Sequence, residues 1–103
     1  MIWEVAHILV KPGAEIAFEQ AVAEAAAIFR AARGCHGARL HRSIEQPQSY
    51  RLMVGWDSVD DHMVHFRAAP GFQQWRALAA PHFAAPPSVE HFATVVDGIC
   101  CEP

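Results

Sequence analysis

The chain has 103 residues, of which 52% are hydrophobic and 18% are charged, and its formal net charge is −3 with His neutral. This length suits one domain, and a total of 8 Lys and Arg residues without a basic run argues against a nucleic-acid partner. No apolar run approaches the roughly 20 residues of a membrane-spanning helix, and the N-terminus lacks the charged start of a signal peptide.

The first half of the chain predicts a strand, a helix and a second strand. Residues 2–10 are β-rich and largely apolar on both faces, so a layer is expected over each face of their sheet. Residues 14–32 predict a helix that ends at Gly34. The apolar stripe of this helix contains Phe18, Val22, Ala25 and Phe29. The second strand is predicted over residues 35–43, with two inward side chains, Ala38 and Leu40.

A third strand and a short helix follow. The strand is predicted over residues 50–56, and its inward side chains are Tyr50, Leu52, Val54 and Trp56. Ser58 suits the N-cap of a helix over residues 59–68. At ~100° per residue, the buried stripe of this helix is centred on Val59, Met63 and Phe66. His62 then lies on the flank of the stripe, and His65 lies near the boundary with solvent.

The last third of the chain predicts one more helix and a final strand. Pro70 suits the first turn of a helix over residues 71–80. The prolines that follow this helix exclude a regular element there, and residues 89–96 predict the last strand. The predicted domain therefore spans residues 1–97, and residues 98–103 form a C-terminal tail.

The order β-α-β-β-α-β is that of the α+β ferredoxin-like fold, a four-stranded antiparallel sheet with helices on one face. The other face would be open, although the predicted strands are apolar on both sides. A hydrophobic content of 52% also exceeds what a lone small domain needs. Two subunits packed open face to open face would cover this surface, so the sequence predicts a homodimer.

The cysteines, the histidines and the sequence motifs bear on cofactors. The three cysteines form no Cys-x-x-Cys pair, which indicates free thiols in a reducing cytoplasm. His62 and His65 stand at a spacing that can chelate a metal, but no Cys or carboxylate stands at a matching position. A third ligand would have to come through the fold from His7, His82 or His91. There is no Gly-x-Gly-x-x-Gly motif and no phosphate loop, so the favoured interpretation has no metal and no bound cofactor.

Three side chains are the candidates for catalysis. His62 could exchange a proton near neutral pH, or it could be a structural imidazole bonded to a backbone carbonyl. Trp56 could form a flat wall against an aromatic ligand, or it could pack in the core. Arg76 could hold a phenolate or enolate oxygen through charge-assisted bonds, or it could be a solvated surface residue. The other predicted pocket residues are His65, Phe66, Phe72, Trp75 and His91.

A set of motifs spread over residues 2–96 resembles one known family, the antibiotic biosynthesis monooxygenases. The motifs are Val10-Lys-Pro-Gly13-Ala-Glu with Phe18 after it, Gly34-x-x-Gly37, Arg42-Ser43 with Glu45, Tyr50 through Trp56-Asp-Ser58, His62, Pro70-x-Phe72, and Pro86-Pro87-Ser-Val-Glu90-His91-Phe92. The most specific piece is the Trp-x-Ser step with a His six residues after the Trp.

The resemblance implies a dimeric α+β barrel with a pocket in each subunit between the sheet and the helices. It also implies a cofactor-independent monooxygenase that oxidises a phenol, a hydroquinone or an anthrone-like substrate. Deprotonation would make the substrate an electron-rich anion that reduces O2 itself inside a dry pocket. By position, Trp56 would pack on the substrate and His62 would stand where the family often has His or Tyr. Arg76 would match an Arg of polyketide-oxidising members.

Two other functions are alternatives to this one. A non-enzymatic dimeric module would bind an aromatic metabolite without turnover. A haem-degrading branch of the same family uses an Asn on the first strand, a Trp and an iron-binding His. At the Asn position this chain has Ala6 or His7, the Trp position falls near His65, and the iron-ligand position falls near Trp75 or Arg76. All three positions differ from the residues of the haem-degrading branch, so haem degradation is disfavoured.

Overall fold

The sheet contains four antiparallel strands. In the computed structural model, which describes residues 1–98, they are β1 (Ile2–Leu9), β2 (Cys35–Arg42), β3 (Ser49–Trp56) and β4 (Ser88–Ala93). Their order across the sheet is β2-β3-β1-β4, so the first and third strands lie in the centre. This order, with helices packed on one face, confirms the predicted ferredoxin-like α+β fold.

Within residues 1–98, three α-helices and two shorter helical turns pack on that face. They are α1 (Glu15–Glu24), α2 (Ala26–Ala31), a π-helical turn (Asp61–Phe66), α3 (Pro70–Ala79) and a 3-10 turn (Ala80–His82). The first predicted helix is divided into α1 and α2 at Ala25, where the chain tightens because the Ile28 N–H donates to the Ala25 carbonyl only three residues back. The helix α3 begins at Pro70, as the sequence indicates.

The hydrophobic core lies between the sheet and the helices. Four side chains of β3 that are at most 1% exposed form its centre: Tyr50, Leu52, Val54 and Trp56. Phe18 of α1 and Phe29 of α2 pack against them. The predicted inward face of β3 is therefore confirmed, as is the helical stripe with the exception of Val22, which is only half-buried.

Two predicted features of the strands differ in the structure. Ala38 lies on the helix-facing side of the sheet, opposite Val54, but its side chain is exposed because β2 is an edge strand. The last strand ends at Ala93 rather than at residue 96, because its partner β1 begins at Ile2, the residue opposite Ala93. Residues 99–103 of the predicted tail lie outside the described part of the chain.

The opposite face of the sheet is open in the described chain. Its apolar side chains are Trp3, Val5 and Leu9 of β1, Met53 of β3 and Phe92 of β4. Leu9 and Phe92 are 48% and 47% exposed. The central strand β1 is thus largely apolar on both sides, as the sequence predicts, whereas the open face of β3 carries Ser49, Arg51, Met53 and Gly55. No helix within residues 1–98 has both the length and the apolar character needed to cross a bilayer.

Candidate active site

A cavity of ≈640 Å³ lies between the helix-facing side of the sheet and α3. Its apolar lining includes Ala6, Ile8, Phe29, Leu52, Phe66, Phe72 and Trp75. Four ionisable side chains also line it: Glu4, His62, Arg67 and Arg76. Small-molecule sites are typically apolar cavities of roughly 300–1,000 Å³ with a few polar groups, so this cavity is the candidate active site.

Glu4 is a carboxyl group buried at the wall of this cavity. It lies on β1 among inward apolar side chains, and it is only 6% exposed. The Trp56 Nε1–H donates to its Oε1 over 3.0 Å, and His62 Nε2 lies 3.3 Å from the same oxygen. Burial raises the pKa of the Glu4 carboxyl to about 7, although the Trp56 bond and the charge of Arg67 act in the opposite direction.

His62 connects Glu4 to a second imidazole. Its ring stacks on the Trp56 indole, with centroids 5.4 Å apart and planes at 18°. His62 Nδ1 lies 2.8 Å from Nε2 of His91, which stands on β4 directly opposite Glu4 of β1. Burial, together with the nearby His91 and Arg67, lowers the pKa of His62 to about 4.

These opposite pKa shifts decide which group can act as a base near neutral pH. His62, with a pKa of about 4, is a neutral imidazole at pH 7, so its 3.3 Å approach to Glu4 is a contact between polar atoms and not an ion pair. Glu4, with a pKa of about 7, changes its protonation state in this range. A general base works best when its pKa is near the working pH. These two pKa values therefore favour Glu4 as the proton acceptor, with His62 as its polar neighbour.

The π-helical turn determines that His62 faces inward. The cap predicted at Ser58 is present, since Ser58 Oγ accepts the Asp61 N–H over 3.2 Å. Hydrogen bonds of a π-helix reach five residues back, so each residue advances less than the ~100° of an α-helix. The buried side chains of this turn are consequently Asp61, His62 and Phe66. The predicted stripe was wrong at Val59, which is 42% exposed.

Gly34 holds this turn in place from the adjacent loop. It has a φ of +75°, and a Cβ at this position would overlap the Asp61 carboxylate. We expect Gly34→Ala to destabilise the protein through a left-handed backbone penalty of roughly 1–2 kcal/mol plus the overlap. Urea denaturation would measure the loss of unfolding free energy.

Gly13→Ala is the matched control for this substitution. Gly13 has a φ of +86°, but a Cβ there would meet no atom within 4 Å. Its variant should show the backbone penalty alone, so the additional loss in Gly34→Ala measures the contact with Asp61. Equal losses in the two variants would contradict a tight fit between Gly34 and the π-helical turn.

The structure brings together most of the side chains proposed from the sequence. The predicted residues that line the cavity are His62, Phe66, Phe72, Trp75 and Arg76. Trp56 lies behind the cavity wall, where it contacts both Glu4 and His62. His91 contacts His62 but does not itself line the cavity. His65 is exposed and does not line the cavity either. Among residues 1–98, no three His, Cys, Asp or Glu side chains converge as a metal site.

Sequence reasoning missed Glu4, and it did not include Arg67 among the predicted site residues. The signal for Glu4 was present, because strand alternation places residue 4 on the same side as Ile2, Ala6 and Ile8. A carboxyl group at an inward position of an apolar strand is uncommon unless it has a partner. Arg67 directly follows the π-helical turn, and its guanidinium lies 6.0 Å from the centre of the Phe72 ring. Its signal in the sequence is its place at the end of the stretch that holds Trp56 and His62.

Trp56→Phe tests the hydrogen bond to Glu4. The indole N–H favours the charged carboxylate, so its removal should raise the pKa of Glu4 above its present value of about 7. A carbon-detected NMR titration of the Glu4 carboxyl would measure the change. Trp3→Phe, on the open face of β1, should leave this pKa unaltered. A Glu4 pKa that does not rise in Trp56→Phe would contradict a role for the indole in setting it.

Comparison with known proteins assigns the chain to a family. Residues 1–78 match the sequence model of the family Antibiotic biosynthesis monooxygenase. The uncharacterized protein YczJ of Bacillus subtilis (strain 168) is 35% identical over 95 residues, which cover 92% of this chain and 100% of that protein. A provisionally named antibiotic biosynthesis monooxygenase from Bordetella bronchiseptica is 55% identical, with a TM-score of 0.91 over 92% of this chain and 97% of its own.

A more distant structure shares the fold. SnoaB from Streptomyces nogalater, a cofactor-independent oxygenase solved as a point mutant, has a TM-score of 0.79 and 23% identity, and the match covers 93% of this chain and 94% of that one. At this identity the likeness concerns the fold alone. With the family match over three quarters of its length and the two closer relatives, the chain belongs to the antibiotic biosynthesis monooxygenase family.

Proposed function

We propose that this protein is a cofactor-independent monooxygenase that oxidises a small aromatic substrate, a phenol, a hydroquinone or an anthrone-like compound, with O2. The observation that carries this proposal is the buried carboxyl of Glu4, whose pKa of about 7 suits a general base at the wall of an apolar cavity. Membership of the family supports a monooxygenase, and the fold is shared with the cofactor-independent oxygenase SnoaB.

In the first step, the Glu4 carboxylate accepts a proton from an acidic C–H or O–H of the substrate. The remaining anion is electron-rich, and its oxygen is suited to the guanidinium groups of Arg67 and Arg76, which line the same cavity. The aromatic lining keeps water away from the anion and strengthens these electrostatic interactions. His62 Nε2 lies 3.3 Å from Oε1 of this carboxylate. The protein thus supplies the base, the orientation and the dry environment.

In the second step, the substrate anion itself reduces O2. For an anthrone-like methylene, one electron passes from the carbanion to O2, and the two radicals combine to form a C–O bond and a peroxide. Protonation by Glu4 and loss of the second C–H proton then cleave the O–O bond. One oxygen atom remains as the new carbonyl and the other leaves as water, so the methylene and O2 give a ketone and H2O. The substrate supplies all the electrons.

Parallel aerobic and anaerobic incubations with a panel of anthrones, hydroquinones and phenols test the proposal. The expected result is a product that forms only with O2 and carries one oxygen atom from ¹⁸O2. The rate should fall in His62→Ala, which removes the partner of Glu4. If no panel member gives an O2-dependent product above that of a protein-free control, the proposal is wrong. Binding of the panel without turnover would instead favour a non-enzymatic binding module.

The open face of the sheet supports a homodimer as the working form. Trp3, Val5 and Phe92 form an apolar surface there, and such a surface is costly to leave in water. The same face of a second copy would cover it around a twofold axis, as in an α+β barrel. Light scattering at micromolar concentration should give twice the mass of the chain. A monomer at that concentration would contradict this assembly.

A further inference from the structure

A chain of three ionisable side chains leads from the cavity to the edge of the sheet. Glu4 Oε1 lies 3.3 Å from His62 Nε2, and His62 Nδ1 lies 2.8 Å from His91 Nε2. Glu4 and His62 are 6% and 4% exposed and both line the cavity. His91 is half-buried on the edge strand β4 and does not line the cavity. The far end of the chain is thus nearer to solvent than its start.

The protons at the two contacts of this chain can all point one way or all point the other way. A neutral imidazole carries one proton, so one ring nitrogen donates and the other accepts. When Glu4 is a carboxylate, it accepts from His62 Nε2–H, and His62 Nδ1 accepts from His91 Nε2–H. When Glu4 is protonated, it donates to His62 Nε2, His62 Nδ1–H donates to His91 Nε2, and the proton of His91 is on Nδ1. Both arrangements place one proton at each of the two contacts between the three groups.

We propose that Glu4, His62 and His91 form a proton relay that equilibrates the buried carboxyl with solvent at the edge of the sheet while substrate fills the cavity. Discharge of protonated Glu4 is one concerted transfer. Its proton passes to His62 Nε2, the His62 Nδ1 proton passes to His91 Nε2, and the His91 Nδ1 proton passes to water. The carboxylate and the opposite pair of tautomers remain, so no proton is left over. This role of the relay rests on the proposed function, whereas the coupling of the tautomers does not.

The charges around the relay are compatible with this transfer. Arg67, which follows the π-helical turn, favours the carboxylate form of Glu4 and disfavours a charged His62. Cys35 of β2 also experiences the charge of Glu4. Because His62 is buried and has these neighbours, an imidazolium is an unfavourable intermediate. Concerted transfer between neutral imidazoles avoids it.

The tautomers of the two imidazoles provide a test that needs no substrate. Nitrogen NMR of labelled protein should show both His62 and His91 changing from Nδ1–H to Nε2–H as the pH rises through about 7, the pKa of Glu4. In Glu4→Gln, this change of tautomer should be lost, while the nitrogen signals of the exposed His41 should match those of the wild type. Tautomers that do not change with pH, or that change equally in Glu4→Gln, would overturn the relay.

A pH jump tests transfer with the cavity filled, with anthrone as the probe. Protein and anthrone are mixed without O2 at pH 6 and raised to pH 8, and the anthrone anion is followed by absorbance. A fast phase of anion formation is expected. It should be lost in His91→Ala and in His91→Gln, and added imidazole should restore it in His91→Ala, whereas His41→Gln should retain it. Restoration by imidazole would not follow from a purely structural role of His91.

The two experiments separate the relay from the proposed function. If anthrone and its relatives are never oxidised but the tautomers change with the protonation state of Glu4, the proposed function fails and the coupled relay stands. If the wild type forms the anion in a fast phase that His91→Ala and His91→Gln also retain, the relay is wrong and the base assignment stands.

Discussion

Glu4→Gln is expected to lower the rate of O2-dependent oxidation by roughly 10²–10⁴-fold, the usual contribution of a general base. The amide is close to the carboxyl in size, and it can still accept the Trp56 N–H, which lies 3.0 Å from Oε1 in the wild type. It cannot take a proton from the substrate. The loss should therefore appear in kcat, with little change in the affinity for substrate analogues. Steady-state kinetics and analogue binding would measure the two quantities separately.

Glu90→Gln provides the control for this substitution. Glu90 is an exposed carboxylate on the open-face side of β4, beside His91 in sequence but outside the cavity lining. Its variant should oxidise the substrate at the wild-type rate. A Glu4→Gln enzyme that retains most of its activity would contradict the base assignment and would direct attention to the guanidinium groups of Arg67 and Arg76.

The unfolding free energies of Glu4→Gln and His62→Gln should depart from that of the wild type in opposite directions as the pH changes. The pKa of Glu4 is raised from 4.5 to about 7, so its contribution is fully present below pH 4.5 and is lost as the pH rises to about 7. The pKa of His62 is lowered from 6.5 to about 4, so its contribution is present above pH 6.5 and is lost as the pH falls to about 4. Each contribution is roughly 3 kcal/mol at full extent.

In the wild type, the unfolding free energy lost from Glu4 and the unfolding free energy gained from His62 as the pH rises cancel between about pH 4.5 and pH 6.5. Glu4→Gln removes the falling slope, so its stability should rise with pH relative to the wild type. His62→Gln removes the rising slope, so its stability should fall over the same interval. Urea denaturation at half-unit pH steps would provide the three profiles. Groups elsewhere in the protein titrate alike in all of them, so differences from the wild type isolate the pair.

A variant at an exposed carboxylate tests whether the pH dependence of the unfolding free energy arises from the buried Glu4 and His62. Glu90→Gln should give a profile parallel to that of the wild type. If the Glu4→Gln and His62→Gln profiles also run parallel to it, then burial does not shift the pKa values of Glu4 and His62, and the assignment of a neutral imidazole beside a near-neutral carboxyl is wrong.

The features that the sequence predicts well are those with a local cause. The inward face of β3 follows from strict alternation over residues 50–56, and the helix after it follows from the cap at Ser58. These signals depend on neighbours within a few positions. The order of elements then leaves few ways to build an antiparallel sheet, which is why the ferredoxin-like topology was predictable.

The features that the sequence did not predict depend on contacts between distant segments. His91 approaches His62 only because the register of β1 and β4 places it opposite Glu4. Asp61 of the π-helical turn packs closely against Gly34, 27 positions earlier in the sequence. Helical periodicity at ~100° per residue cannot indicate such a turn, since the same side chains suit an α-helix.

The π-helical turn also affects how residues can be matched between relatives. It holds Asp61–Phe66 with bonds one residue longer than those of an α-helix, so a relative with an α-helical turn would span the same distance with one residue fewer. An alignment without a gap in this turn would then pair His62 with a side chain that points elsewhere. Superposition of the backbones before and after the turn, rather than the count of residues across it, identifies the position that faces Glu4.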